Sequence, residues 1–458
     1  MGGELKINTV ILAGGMGKRL WPLSRRTWPK YMLRPGMDKS LLQAAWDRVA
    51  PFGGSRRVVT SAESGFLVSR EIRKKDPGFG EENLILEPLS RNTAPAVMLG
   101  IADMEDDDIV AVLPADQVVE GDFSETILKA AVVASQGYIV TIGITPDRPA
   151  TGYGYIKSSQ EKIGEGFLVE EFKEKPDEDT ARGYLESGGY FWNAGLFVFR
   201  AGTMRREMER HAPEISRGFE RISREGARSV YRELPGISID YAVMEKTDRV
   251  AVVPFAGRWD DLGSWESIHR ILAAEDGNFS SGETCLEDVS GCFFQVPSGK
   301  LVGAAGVRDL IAVDTPDALL LLKKGEGQKV KDLVERLGDD PRAARHLTDY
   351  RPWGGYRVLE EGDGYKVKVL FVSPRERLSL QRHKFRDEVW TVIKGKGLIT
   401  SGEEKKETVS GETVRIPAGA LHRAENTGSG ELEILELASG EKISEDDIER
   451  VEDDYGRR

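Results

Sequence analysis

The stretch Ile7-Asn8-Thr9-Val10-Ile11-Leu12-Ala13-Gly14-Gly15-Met16-Gly17-Lys18-Arg19-Leu20 decides the reading of this chain. A short apolar run that ends in Gly-Gly-x-Gly predicts a buried strand feeding a tight loop. Backbone N–H groups in such a loop can close on phosphate oxygens, and Lys18 and Arg19 add positive charge. The loop is not a Walker A motif, because the Gly-Lys-Ser/Thr ending is missing. It is not the dinucleotide fingerprint either, since Leu20 stands where a third glycine belongs. Outward from it, Val58–Thr60, Leu84–Leu86, Ile109–Leu113 and Ile139–Ile144 are further short apolar runs. Residues 39–50 place Leu41, Leu42, Ala45, Trp46 and Val49 on one helical face, and 93–105 and 124–136 also read as helices. This alternation predicts an α/β domain with a Rossmann-like, mostly parallel sheet, helices on both faces and ligands at the carboxyl ends of the strands.

The chain has 458 residues, enough for two or three domains at roughly 100–200 residues each. The texture changes near residue 280. Runs at Cys292–Val296, Leu301–Ala305, Leu310–Val313 and Ala318–Leu322 predict a small β module, 329–337 a connecting helix, and 341–352 a linker. From 353 to about 440, strand-like runs alternate with Gly and Pro turns, as in an antiparallel barrel. The expected division is 1–279, 280–345 and 346–458, and 444–454 reads as a solvated acidic helix or end segment.

With 64 Lys plus Arg against 76 Asp plus Glu, the net charge is −12. That balance, with no long basic run, argues against nucleic-acid or membrane-surface partners. No apolar run approaches the ~18 residues of a membrane span. Met1–Lys6 has no signal-peptide core, and Lys6 stands where a myristoylation signal wants Ser or Thr. Cys285 and Cys292 match no zinc or redox spacing, so the expected compartment is a reducing cytoplasm.

The loop continues into Trp21-Pro22-Leu23-Ser24-Arg25 and Pro29-Lys30. Downstream come Leu86-Glu87-Pro88 with Arg91-Asn92-Thr93-Ala94-Pro95, then Leu113-Pro114-Ala115-Asp116, Glu174-Lys175-Pro176, Asn193-Ala194-Gly195 and Trp259-Asp260-Asp261-Leu262-Gly263-Ser264-Trp265. This ordered set resembles the sugar-nucleotide pyrophosphorylases, and within them the GDP-mannose pyrophosphorylases, over nearly the whole of 7–275. The resemblance implies transfer of GMP from GTP to mannose 1-phosphate. It pairs Asp116 and Asp261 as ligands of Mg²⁺, sets Arg19 and Lys30 facing the triphosphate, and gives Lys175 the phosphate of the sugar 1-phosphate. It gives Glu174 and Asn193 the sugar hydroxyls, and makes Gly14, Gly15, Gly17, Lys18, Gly152 and Gly195 part of the substrate site. Guanine needs a donor to O6 and an acceptor for N1–H and N2–H₂: Glu87 or backbone carbonyls can accept, and Arg91 or Asn92 can donate. Each residue alone also fits a plainer role: Asp116 as a helix cap, Lys175 as a solvated charge, Asn193 as a turn residue, Asn92 and Thr93 as a helix start. The chain departs from the family at Lys18 (usually Thr), Gln117 (usually His) and Tyr31-Met32 (usually Gln-Phe).

A second constellation stands near the end: Gln381-x-His383, Glu388 and Gly395, then Gly411, Pro417-x-Gly419, His422 and Asn426. Alternation puts Gln381 and His383 on one strand face. With Glu388 and His422 from neighbouring strands they would make one N/O site for a divalent ion. The pattern resembles the two cupin motifs. Leu378-Ser379-Leu380-Gln381, Arg386-x-Glu388-x-Trp390, the opening Arg351-Pro352-Trp353-Gly354 and the ending Asp446–Arg457 resemble the type II phosphomannose isomerase domain, which in bacteria is fused behind GDP-mannose pyrophosphorylases. The resemblance implies a cupin barrel that interconverts mannose 6-phosphate and fructose 6-phosphate on a metal such as Zn²⁺, Co²⁺ or Fe²⁺. Arg386 and Arg423 are its candidate phosphate grips, and no base is assigned. Phe385 and Val389 replace two family histidines. A dimer is implied by resemblance alone. The competing readings are a different nucleotide or hexose phosphate, a non-catalytic sugar-nucleotide sensor, and a barrel that serves assembly only.

Overall fold

The computed structural model describes residues 5–455. These form two units, one comprising residues up to 315 together with 319–338, the other 316–318 with 339 onward. The opening Met1–Glu4 and the last three residues of the motif-bearing tail lie outside the described residues.

In the first unit β1 (Ile7–Ala13), β2 (Gly53–Ser61), β3 (Leu84–Glu87), β4 (Ile109–Pro114), β5 (Val118–Glu120), β6 (Ile139–Ile144), β7 (Tyr155–Ile163), β8 (Gly166–Lys173), β9 (Tyr190–Arg200), β10 (Val250–Phe255) and β11 (Arg258–Asp260) succeed one another. Nine of them make one sheet in the order β3-β2-β1-β4-β9-β6-β10-β8-β7, and β5 pairs with β11 apart from it. The β3-β2-β1-β4 half is parallel, as is β6 with β10. The long strand β9 enters antiparallel between β4 and β6. It is an eleven-residue aromatic run, fully apolar over most of its length because both faces of the sheet are covered. Helices 41–48, 93–100 and 123–134 occupy the stretches where helices were expected. The first starts at a capping box: Ser40 Oγ accepts from Gln43 N–H (3.2 Å) while Gln43 Oε1 accepts from Ser40 N–H (3.1 Å). Val10, Val59, Val97, Val110, Phe197 and Phe199 lie at the centre of the packed interior.

The module continues this unit with β12 (Phe279–Ser280), β13 (Glu283–Glu287), β14 (Phe293–Gln295), β15 (Leu301–Ala305), β16 (Leu310–Thr315) and β17 (Ala318–Lys323). Parallel pairs β13–β15 and β12–β14–β16 give it the coil of a β-helix. Helix Lys329–Leu337 falls on the expected residues and packs against the Lys18–Leu20 turn of the phosphate loop.

The second unit holds β18 (Thr348–Arg351), β19 (Gly354–Gly362), β20 (Tyr365–Val372), β21 (Leu380–His383), β22 (Arg386–Lys394), β23 (Lys396–Ser401), β24 (Glu404–Val409), β25 (Thr413–Ile416), β26 (His422–Asn426), β27 (Leu432–Gly440) and β28 (Ile448–Glu452). Two sheets, β18-β19-β20-β27-β22-β25 and β24-β23-β26-β21-β28, close on a core of Trp353, Leu370, Val372, Trp390, Ile399 and Ile434. Two expectations are corrected here. The stretch 341–352 is no linker, because β18 pairs with β19 and buries Asp349 against Arg351 (2.8 Å). Nor is 444–454 a solvated tail: β28 pairs with β21, Gln381 opposite Arg450 and His383 opposite Ile448. The acidic composition hid a strand whose inward position is an arginine. Asp447, buried just before it, accepts the N–H groups of Lys384 (3.1 Å) and Phe385 (3.3 Å). Replacing Asp447 with Ala removes the acceptor of two part-buried N–H groups and is expected to destabilise the barrel by about 1 kcal/mol. Thermal or urea melting of the full chain reads this as a lowered transition of the barrel with that of the first unit unmoved.

Candidate active sites

A cavity of about 600 Å³ opens at the carboxyl ends of β1 and β4. Of the residues expected in a substrate site, Gly14, Gly15, Glu87, Asn92, Thr93, Asp116, Gly152, Glu174, Lys175, Asn193, Gly195 and Asp261 line it. Asp116 and Asp261 therefore meet although far apart in sequence. The Lys30 ammonium links them, 2.7 Å from Asp116 Oδ2 and bonded to the backbone carbonyl of Asp261. Asp261 is also oriented: its Oδ1 accepts from Tyr153 O–H (3.1 Å) and from Gly263 N–H (2.9 Å). Two hard carboxylates facing one cavity fit a divalent ion such as Mg²⁺. Gly17 adopts φ 66°, and a Cβ there would sit 2.5 Å from Lys30 Cβ, so both its backbone and its lack of a side chain are needed.

Arg19 and Lys18 are not part of the cavity wall: Arg19 Nη1 donates to Gln328 Oε1 (3.3 Å), and Lys18 is exposed. Arg91 points elsewhere. Its guanidinium donates to the carbonyls of Tyr231 (2.7 Å) and Arg232 (2.6 Å), anchoring the end of helix 227–233. Asn92 (φ 68°) accepts from Thr93 N–H at the start of helix 93–100, and Thr93 Oγ1 accepts from Ile239 N–H (2.9 Å). The helix-start role and a place in the cavity wall thus hold together for both.

In the cavity wall, burial pushes the Glu87 carboxyl up to about 7, and its Oε1 has no hydrogen-bond partner among the described residues. In the same wall, Asn193 Oδ1 accepts from Thr141 O–H (2.8 Å) and Gly195 N–H (3.0 Å), while its Nδ2 donates to Asp240 Oδ1 (2.9 Å). Glu174 is buried and paired with Lys175. Burial would lower the Lys175 pKa, but Glu174 and Asp240 outweigh it and hold the ammonium charged. Burial, reinforced by Glu174, pushes Asp240 up to about 6. Sequence reasoning missed Asp240 and Tyr153. The one signal for Asp240 was an acid inside the apolar run Ile237–Val243; Tyr153 carried none beyond its Gly-x-Gly loop.

The barrel holds the second site. His383 Nε2 lies 3.1 Å from Glu388 Oε1, His422 Nε2 lies 3.6 Å from Glu388 Oε2, and the three ligand atoms fall within 4.8 Å of one another, all buried. Gln381 stands opposite His422 across β21 and β26, and its Oε1 accepts from Ser379 O–H (3.0 Å). His422 Nδ1 meets the Ala420 carbonyl (3.0 Å), so Nδ1 carries the proton and the Nε2 lone pair faces the cluster. That Nε2 has no hydrogen-bond partner among the described residues. A buried, unsatisfied imidazole nitrogen beside a carboxylate fits a divalent metal. Burial would raise Glu388, yet its hydrogen-bonded neighbours His383 and Arg386 hold it down to about 2. Arg386 bonds to Glu388 Oε1 (3.0 Å), His383 Nε2 (3.2 Å) and the Ser444 carbonyl (3.0 Å). Arg423 instead pairs with Glu452 (3.2 Å) and is not in the wall of the small cavity beside this cluster.

The family model for nucleotidyl transferases matches residues 8–276. The chain belongs to the nucleotidyl transferase family. Residues 283–337 match the MannoseP isomerase/GMP-like beta-helix domain, and 338–453 the mannose-6-phosphate isomerase C-terminal domain. Similar proteins include the alginate biosynthesis protein AlgA of Pseudomonas aeruginosa (38% identity, 98% of this chain and 97% of that one) and the xanthan biosynthesis protein XanB of Xanthomonas campestris pv. campestris (38%, 98% of each). The mannose-1-phosphate guanylyltransferase of Escherichia coli is also 38% identical, over 99% of each chain. Among solved structures, that of mannose-1-phosphate geranyltransferase from Thermus thermophilus superposes with a TM-score of 0.65 at 34% identity, covering 72% of this chain and 99% of that one.

In this nucleotidyltransferase the departure at Gln117 lines the cavity beside Asp116. Gln117 donates to the Ala194 carbonyl (2.7 Å) and accepts from Trp259 Nε1–H (3.1 Å), joining β9 to β11. Phe385 is half exposed, and Val389 alternates with Glu388 onto the opposite face of β22. No helix among the described residues is long and apolar enough to cross a membrane. The raised Asp240 carboxyl predicts a pH-dependent cost. Its folded pKa of about 6 lies above its unfolded value, so its contribution is favourable at low pH and is lost as pH rises from about 4 through 6. Asp240→Asn should therefore stabilise the fold by about 1–3 kcal/mol above pH 7 and not at all below pH 4. Melting temperatures of the two proteins at pH 8 and pH 4 check this.

Proposed function

We propose that the chain transfers GMP from GTP to α-D-mannose 1-phosphate, giving GDP-mannose and pyrophosphate, and that its barrel interconverts mannose 6-phosphate and fructose 6-phosphate. The observation that carries the first reading is the set of groups lining one cavity: Glu87, Asn92, Asp116, Asp261, Lys175, Glu174, Asn193 and Asp240, with Lys30 bonded to both aspartates. That set supplies acceptors for a base, carboxylates for a metal–triphosphate and a cation for a sugar phosphate. Mg²⁺ held by Asp116 and Asp261 would neutralise the charge that gathers on the triphosphate. Lys175 holds the sugar phosphate in line, and its oxygen attacks the α-phosphorus as the bond to pyrophosphate breaks. Lys30 and the N–H groups of the Gly14–Gly17 loop take the charge of the leaving group. Asn193, fixed by Thr141 and Asp240, and Glu174 read the sugar hydroxyls. Ionised Glu87 accepts guanine N1–H and N2–H₂.

In the barrel, Gln381, His383, Glu388 and His422 would hold Zn²⁺, Co²⁺ or Fe²⁺, and Arg386 a substrate oxygen. Work divides along 1–279, 280–345 and 346–458. We take the cytoplasm as the compartment, on the reduced thiols, and a homodimer as the assembly, on family likeness. The phosphate shift from C6 to C1 that would join the two reactions falls to another protein.

With GTP, mannose 1-phosphate and Mg²⁺, the protein should yield GDP-mannose and pyrophosphate, and Asp261→Ala should lower kcat by about 10³-fold. Absence of product in the wild type overturns the reading. GTP affinity should also strengthen as pH rises through about 7, where Glu87 ionises. Glu87→Gln should flatten that dependence, read as KM for GTP between about pH 6 and 8.

A further inference from the structure

The isomerase reading leaves the proton-transferring group unassigned, and the barrel interior contains a buried acid that the metal cluster does not use. Glu436 lies on β27, opposite Lys368 on β20 and Trp390 on β22. Its side chain is 6% exposed, and its only ion-pair partner among the described residues is the Lys368 ammonium at 3.3 Å, itself 12% exposed. Glu436 lines the same cavity as Gln381, Arg386 and Glu388. A carboxylate in a packed strand costs stability that an apolar side chain of the same size would not. The neighbouring inward positions on β27, Leu432, Ile434 and Ala438, are apolar, so the barrel does not need an acid there.

The other groups in that wall are occupied. Glu388 Oε1 faces His383 and Arg386, and its Oε2 accepts from Trp390 Nε1–H (3.0 Å) and faces His422. Tyr356 donates toward Asp349 (3.4 Å). The arginines stay protonated. Burial and the Glu388 charge both raise the proton affinity of Glu436, with Lys368 opposing them. The cavity holds about 60 Å³, room for the two reacting carbons and their oxygens, so the phosphate end of a hexose phosphate lies outside it.

We propose, resting on the isomerase reading, that Glu436 is the base that carries the proton between C1 and C2 of the hexose 6-phosphate. From open-chain mannose 6-phosphate, the Glu436 carboxylate takes the C2 proton. The C–H electron pair becomes the C1=C2 bond and O1 takes the negative charge. The O2 hydroxyl proton passes to O1, the C2=O2 bond forms, and the Glu436 carboxyl returns its proton to C1. The product is fructose 6-phosphate, the carboxylate is restored, and no co-reactant is consumed. Lys368 balances the charge of the acid between turnovers.

The test uses the full chain loaded with Co²⁺, as wild type, Glu436→Gln and Glu436→Asp. Three quantities are followed: interconversion of the hexose 6-phosphates, loss of deuterium from C2 of [2-²H]mannose 6-phosphate by NMR, and bound metal per chain by mass spectrometry. Glu436→Gln should lower interconversion and deuterium loss together by about 10³-fold. Its metal stoichiometry should equal the wild type's, and Glu436→Asp should recover part of the rate. A Glu436→Gln variant within about tenfold of wild type, or one that loses the metal, overturns the assignment and leaves the isomerase reading standing. A metal-loaded wild type that interconverts nothing removes that reading and the assignment with it.

Discussion

The first unit is organised around the Lys30 ammonium. It neutralises the Asp116 carboxylate at the end of β4 and bonds to the backbone of Asp261 in the loop after β11. Its own stem packs against Gly17 of the phosphate loop. Three segments far apart in sequence are thus drawn to one point by a single buried cation. The same point is where a divalent ion would join the two acids. Charge is held there by protein before any ligand arrives, so a metal and a triphosphate enter a site whose carboxylates are already turned inward. Preorganisation of this kind lets an active site act on the transition state without first rearranging.

Much of this was legible in the sequence because glycine, proline and charged residues mark strand ends. The strands of the parallel half ended where the polar motifs began, and the cavity wall followed from them. Four things escaped, Tyr153 in its Gly-x-Gly loop among them. Strand β9 has no polar alternation to announce it. Asp240 lies in an apolar run and is visible only once Asn193 is seen to need a partner. Arg91 looked like a ligand group from its motif, but its side chain spans to the carbonyls of residues 231 and 232, a contact between distant segments that spacing cannot reveal. In the barrel the errors had one cause. β18 and β28 are strands whose inward residues include Asp349 and Arg450, so a hydrophobic pattern does not mark them.

The barrel shows how a site tolerates the loss of family residues. Two absent histidines fall on positions that do not face the cluster, while His383, Glu388 and His422 remain within reach of one ion. What unites the retained set is orientation by neighbours: Ala420 fixes one imidazole, while Arg386 and Trp390 fix the carboxylate. Such outer partners govern how well a site holds metal as much as the ligands do.

The β-helix module belongs to the same unit as the nucleotide cavity. Glu266, in the helix following the Asp261 loop, accepts the N–H groups of Gly325 (3.1 Å) and Gly327 (2.8 Å), and Gln328 holds Arg19. An excision at residue 276, where the nucleotidyl transferase match stops, would keep every residue of the cavity wall yet strip the brace from its most glycine-rich edge. The smallest portable piece of this machine therefore runs to residue 338, and anyone grafting the transferase onto another scaffold inherits the coil along with it.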